Sequence, residues 1–292
     1  MNAIVPTVAE HPAMGSGFDT LGRKDFDRLA KFIQSYSGIK MPPNKITMVE
    51  GRLRRRLRAL GCSSFAEYCR YLFEKDGLED EAVHLIDAVT TNKTEFFREP
   101  DHFRMLTETV LDDVAEHRRG QKPVKVWSSA CSIGAEPYTL AMVLAEFASR
   151  RRGFEAEILA TDLCTEVLEK AILGIYPEAM MSPVPDALYK RYILRDKDKK
   201  RGFARIAPEL RALVKFARLN LMDASYPLDS DFDVVFCRNI LIYFDKPTQN
   251  AVLHRLCSHI RPGGYLFMGH SETLAGFDLP LTLAGPTVFR RN

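Results

Sequence analysis

Four polar segments each close an apolar run or a helix, where side chains can reach a ligand. Residues 130–138 read Ala-Cys-Ser-Ile-Gly-Ala-Glu-Pro-Tyr and follow the apolar run 124–129. A small-residue turn there lets the backbone approach a ligand beyond the strand's carboxyl end, and Glu136 adds a charge. Gly134 stands alone, so a dinucleotide fingerprint is disfavoured, and a routine strand-to-helix turn explains this segment equally well. Thr161-Asp162 closes the next run. An acid there suits the two hydroxyls of a ribose, or it caps the next helix, a role open to Thr165 as well. Cys237-Arg238-Asn239 closes a third run. An Arg-Asn pair at the mouth of a buried strand is costly unless it is paired, which aims it at the same crevice. The fourth segment, Thr90-Thr-Asn-Lys-Thr-Glu-Phe-Phe-Arg98, precedes the first strand. Its two aromatics and Arg98 also suit a packed junction between domains.

Strands at 124–129, 156–162, 214–219, 232–237 and 265–268 are predicted to position these segments, with helices at 101–118, 137–149, 166–173 and 247–260. Gly120 and Pro123 close the first of these helices. Such alternation implies a mostly parallel sheet covered on both faces, an α/β domain. Arg261-Pro-Gly-Gly reads as a turn into an edge strand. Before this domain, apolar residues recur at helical spacing: Phe26, Leu29, Ala30 and Ile33, then Ile46, Val49, Leu53, Leu57 and Leu60, then 65–73, then Ala82, Leu85, Ile86 and Val89. Residues 21–90 therefore form a small all-α domain. Residues 91–98 make a linker, 99–292 the α/β domain, and 1–20 a disordered tail of small and polar residues.

Residues 176–212 break the alternation. Tyr192-Ile-Leu and Phe203-Ala-Arg-Ile flank the charge run Arg195-Asp-Lys-Asp-Lys-Lys-Arg201. This reads as an inserted β-hairpin, a candidate module for a partner.

The 292 residues carry 41 Lys and Arg against 38 Asp and Glu, a net charge of +3, which argues against a nucleic-acid coat or a polybasic membrane binder. None of the six cysteines forms a Cys-x-x-Cys pair, so no metal site is expected. No signal peptide and no run of ~20 apolar residues is found, which points to a cytoplasmic chain with free thiols.

Taken together, Thr-Thr-Asn-x-Thr-x-Phe-Phe-Arg, Ser-Ile-Gly-Ala-Glu-Pro-Tyr, Ala-Thr-Asp, Phe-Cys-Arg-Asn-Ile-Leu-Ile-Tyr-Phe and Gly269-His-Ser-Glu272 resemble the bacterial chemotaxis receptor methyltransferases of the CheR type. The resemblance runs over about residues 21–290. It implies a Rossmann-like methyltransferase domain with an inserted β subdomain, preceded by the helical domain. It also implies S-adenosylmethionine as cofactor, S-adenosylhomocysteine as product, and glutamates in the cytoplasmic methylation region of chemotaxis receptors as substrate. By resemblance, Asn92, Thr94 and Arg98 close over the methionine end, Glu136 meets its charged end, Asp162 the ribose, and Asn220-Leu221 the adenine. Arg238 and Asn239 line the site. Arg98 and Tyr243, near the transferring methyl, are the candidate catalytic residues. Ala135 departs from the family, where many relatives carry a second acid.

A receptor glutamate, with an ordinary pKa of ~4.3, is ionised at neutral pH and needs no general base. His270 therefore reads as structural. Asn239 lacks a following Pro-Pro-Tyr, which argues against methylation of adenine or amide nitrogen. Residues 45–60 hold six basic residues against one acid, and Arg54, Arg55 and Arg58 lie off the apolar stripe as candidate docking residues for an acidic receptor helix, although a solvated helix face is the plainer reading. Some family members grip a receptor C-terminal pentapeptide at a glycine-rich hairpin. The charged turn here predicts independence from that tether. A methyltransferase for small molecules or nucleic acid, or a non-catalytic receptor-binding module, remains compatible with the same fold.

Overall fold

The computed structural model describes residues 20–118 and 123–292. The expected tail, and Gly120 as a helix stop, lie outside them.

Four helices come first: α1 (Arg23–Ser37), α2 (Ile46–Leu60), α3 (Phe65–Glu74) and α4 (Leu78–Val89). Their stripes meet in one core that includes Phe26, Leu29, Ile33, Leu53, Tyr68, Leu85 and Ile86. Local chemistry sets their ends. Ser64 caps α3 by accepting from Glu67 N, and Glu67 accepts in return from Ser63 N. Gly38 ends α1 at φ 75°, and a Cβ there would lie 2.7 Å from Met222 Sδ, so a glycine lets this turn press onto the second half of the chain.

A broken helix follows: α5 (Pro100–Met105), a π turn at Leu106–Val110, and α6 (Leu111–His117). The α/β core then runs β1 (Val124–Ser128), α7 (Ala135–Arg150), β2 (Ala156–Asp162), α8 (Thr165–Leu173), β3 (Ile175–Pro177), α9 (Asp186–Tyr192), β4 (Ile193–Arg195), β5 (Phe203–Ile206), α10 (Pro208–Ala212), β6 (Val214–Arg218), β7 (Phe232–Cys237), α11 (Lys246–His259), β8 (Ile260–Met268), β9 (Leu281–Gly285) and β10 (Val288–Arg291). The large sheet has the order β6-β2-β1-β7-β8-β10-β9. The pairings among β6, β2, β1, β7 and β8 are parallel, and β10 runs antiparallel to both its neighbours. The fold is the expected one, a mostly parallel sheet beside an all-α domain.

Two expectations need correction. Arg261-Pro-Gly-Gly is not a turn into an edge strand, since it lies within β8, and that strand is not an edge. It lies between β7 and β10, because the last two strands, unforeseen, extend the sheet beyond it. The insert is not a two-stranded hairpin. Ile175–Pro177 adds a third strand, giving β3-β5-β4. The charged turn is organised by its own acids: Asp198 caps the 3-10 turn Lys199–Arg201, and Arg195 pairs with Glu178 at 2.9 Å.

The two halves are joined by named bonds. Asn220 Nδ2 donates to Tyr36 O at 2.6 Å, and Lys40 N to Tyr243 O at 3.1 Å. Buried Asp87 accepts from Thr165 N at 3.0 Å and Glu166 N at 3.4 Å, at the start of α8. The helix cap sought in Asp162 or Thr165 is thus supplied from α4 of the helical domain, where the carboxylate also faces the positive end of the helix dipole.

Candidate functional site

Sheet order reverses between β1 and β7, and a cavity opens beyond the carboxyl ends of the central strands. All ten residues expected at a cofactor or catalytic site line it: Asn92, Thr94, Arg98, Glu136, Asp162, Asn220, Leu221, Arg238, Asn239 and Tyr243. The helical domain contributes Ser37, Ile39, Lys40, Met41 and Met48 to the same wall.

Each acid is held in place. All six residues of β7 are buried, so the strand delivers Arg238 into the floor at 7% exposure. Arg238 pairs with Glu136 at 3.2 Å and with Glu99 at 3.1 Å, and donates to Arg98 O. Ser128 Oγ donates to the other Glu136 oxygen at 2.6 Å. Burial pushes the Glu136 carboxyl above its usual range, against the pull of Arg238 and Ser128. Burial also opposes ionisation of Glu99, but Arg238 and the Asn239 amide outweigh it and hold Glu99 low. Asp162 accepts from Ser132 N at 2.8 Å and from Cys164 N at 2.9 Å, one bond to each oxygen. Burial still pushes its carboxyl up, against those amides. The carboxylate so held lines the cavity.

The linker is clamped from several sides. Arg52 donates to Thr90 O at 2.7 Å and Thr91 Oγ1 at 3.1 Å, Ser132 Oγ to Asn92 O at 3.0 Å, and Thr139 Oγ1 accepts from Phe97 N at 3.2 Å. Phe96 is fully buried edge-on against Tyr176 of β3. The packed junction and the cavity wall are therefore one segment. Phe97 and Glu99, flanking Arg98, hold φ of 53° and 59°, and Ser132 and Asn239 hold 51° and 59°. Left-handed non-glycine residues gathered around one cavity mark strain kept at a site.

Several contributors gave no local signal in the sequence. Arg52 looks like its neighbours in a basic helix, Glu99 follows the motif that was read, and Asp87 sits on an ordinary amphipathic helix. Glu272 belonged to a quoted motif, but its role was not legible. Asn220 lies at the cavity, yet its amide is engaged by Tyr36 O, and its Oδ1 accepts from Met222 N at 3.0 Å. The candidate docking residues lie outside the cavity lining and differ among themselves. Arg54 is half-buried, paired with Glu50 and set 5.7 Å from the Phe65 ring, which corrects its expected place on a free face. Arg55 pairs with Glu166, and Arg58 is exposed. Their neighbour Arg56 is tied to buried Glu81.

His270 stands half-exposed with its ring 5.0 Å from that of buried His102. These two and Glu99 bring three potential ligand atoms within 4.8 Å of one another. The Glu99 oxygen they would share lies 3.1 Å from the Arg238 guanidinium, whose charge repels a second cation.

The donor set fits S-adenosylmethionine. A charged end with Glu136, a carboxylate aimed at a diol, and an apolar stretch of Leu163, Leu219, Leu221 and Phe244 share the cavity. No helix among the described residues is long and apolar enough to cross a membrane.

Comparison with known proteins agrees. Residues 24–90 match the CheR methyltransferase, all-alpha domain, and residues 92–288 match the CheR methyltransferase, SAM binding domain. The chain is 37% identical over 287 residues to chemotaxis protein methyltransferase 2 of Pseudomonas aeruginosa, covering 98% of this chain and 99% of that one. It is 41% identical over 265 residues to the chemotaxis protein methyltransferase of Klebsiella aerogenes, covering 90% and 88%. The Escherichia coli protein of that name is 39% identical over 264 residues, covering 90% and 89%. With both halves matched in order and the cavity built from the matching motifs, this chain belongs to the CheR family of S-adenosylmethionine-dependent chemotaxis methyltransferases.

Proposed function

We propose that the protein esterifies glutamate side chains in the cytoplasmic methylation region of chemotaxis receptors. The observation that carries this reading is that Lys40, Lys45, Lys93 and Arg98 line the cavity. An acceptor drawn here by positive charge is anionic and, being already ionised, brings its own nucleophile. A glutamate, with a pKa of ~4.3, satisfies both conditions. When bound, the cofactor supplies an electrophilic methyl group. The rest is positioning: Asp162, Glu136 and Asn92 hold the cofactor, and Arg98 and Tyr243 align the acceptor oxygen. Arg98 stays protonated and acts only by orientation and charge. The helical domain adds apolar Ile39, Met41 and Met48 to the wall, and a water-poor site favours a step in which opposite charges vanish.

The test is transfer of labelled methyl to receptor membranes, RNA and small acids, followed by mild base and peptide mapping. Base-labile label on receptor glutamates is expected. Base-stable label, or label confined to RNA or small acids, overturns the reading.

Receptor docking is proposed on α2 through Arg55 and Arg58, with Arg54 contributing at their edge. Reversing all three to Glu should slow receptor methylation at low salt and spare cofactor affinity, and equal rates across salt concentrations would sink the idea. Recognition is further proposed to be independent of a receptor C-terminal pentapeptide, since charges crowd the turn beside strand β4. Micromolar binding of such a peptide by calorimetry, or loss of methylation on deleting the receptor tail, would refute it.

A further inference from the structure

Glu272, at 7% exposure, has no basic side chain within salt-bridge distance among the described residues. Its charge is met by backbone. Oε2 accepts from Gly269 N at 2.7 Å and from Asn239 N at 3.0 Å. Oε1 accepts from Ile240 N at 3.0 Å and from Leu241 N at 2.8 Å. Three of these donors are successive amides just beyond the end of β7, where strand pairing has stopped and burial would leave them without acceptors. Gly269 completes the arrangement: a Cβ there would lie 2.5 Å from Asn239 Nδ2 and 3.0 Å from Asn239 N. The loop from Arg238 to Tyr243 therefore rests on the Gly-His-Ser-Glu segment, and Asn239 keeps its left-handed backbone at φ 59°. From that loop Asn239, Ile240 and Tyr243 reach the cavity.

We propose that Glu272 is a positioning residue for methyl transfer, holding through three successive amides the loop that aligns the acceptor. The inference rests on the methyl-transfer reading of the cavity. It separates two duties: Asp162, Glu136 and the linker hold the cofactor, while Glu272 sets the other side. One carboxylate with four acceptor positions can serve four converging donors. A carboxamide of the same shape cannot, because its NH2 would face amide hydrogens.

The experiment compares wild type, Glu272→Gln and Gly269→Ala in three measurements: turnover on receptor membranes, affinity for S-adenosylhomocysteine by calorimetry, and hydrogen exchange of the loop amides. Both variants should lower kcat by about 10- to 100-fold, the cost of a misplacement near 1 Å, with product affinity held within about threefold. In Glu272→Gln the amides of residues 239–241 should lose protection while those of β1 and β2 keep theirs. Glu272→Asp, which keeps the charge, should recover part of the turnover. Retained protection at 239–241 in Glu272→Gln overturns the proposal whatever the acceptor. So does unchanged kcat, or a fall of kcat and product affinity in step with the folded fraction. Absence of receptor methylation by wild type would instead count against the acceptor assignment, while the exchange measurement still decides the role of Glu272.

Discussion

The Arg238 guanidinium and the Glu136 carboxylate lie 3.2 Å apart and tie the end of β7 to the start of α7. The Arg238 side chain is 2% exposed and that of Glu136 14%, and Glu99 shares the same cation. Removing one partner from a buried network leaves uncompensated charge. Arg238→Ala should therefore cost about 3–5 kcal/mol in urea unfolding. Arg238→Lys should recover little, since one ammonium cannot bridge both acids and Arg98 O in the same plane. A loss below about 1 kcal/mol for Arg238→Ala, the level of an exposed pair, would mean that the network carries no weight.

Asp162→Ala should weaken S-adenosylmethionine binding by about 1.5–3 kcal/mol, the range for a hydrogen bond to a charged group. The same carboxylate accepts from Ser132 N and Cys164 N, so a modest loss of stability should accompany it. Calorimetry giving wild-type affinity would reduce Asp162 to a loop tie.

Arg98→Ala and Tyr243→Phe should lower turnover by about tenfold or more and leave cofactor affinity much less affected. Tyr243 is tied to the helical domain through its carbonyl, so loss of the hydroxyl spares that contact. Steady-state kinetics together with calorimetry separate the two effects. Wild-type turnover in either variant removes that residue from the catalytic assignment.

His102 makes stability depend on pH. Burial, reinforced by Arg238, lowers its pKa to about 4, against an unfolded value of ~6.5. Below the unfolded value the denatured chain takes up a proton that the native ring refuses until near 4. Its contribution is therefore complete above about pH 6.5 and is lost as the pH falls toward 4. Urea midpoints at pH 7 and pH 5 should differ more for wild type than for His102→Gln. Equal pH dependence would show that His102 titrates alike in both states.

The elements legible in the chain were those whose cause is local. Short runs alternating along the chain with helical stretches marked β1, β2, β6 and β7, because each is flanked by a helix or turn with its own end signals. The ten cavity residues were reached through the family resemblance, which rests on motifs in the linker and at strand ends that a doubly wound sheet brings together. What escaped depends on partners far along the chain. Ile175–Pro177 is three residues with a proline, and becomes a strand only because Phe203–Ile206 pairs with it. Leu281–Gly285 and Val288–Arg291 are short and mostly unburied, and their place rests on β8. The basic helix α2 shows the limit well. Arg52 clamps the linker, Arg56 neutralises Glu81, Arg55 reaches Glu166 and Arg58 faces solvent. Side-chain type is the same in all four, and the neighbour each meets is set by packing. Glu272 meets Asn239 across 33 residues, and Asp87 meets Thr165 across 78. A carboxylate becomes a clamp or a cap only when a distant backbone turns its amides toward it, and that proximity is created by packing, within the α/β domain for Glu272 and between the two halves for Asp87.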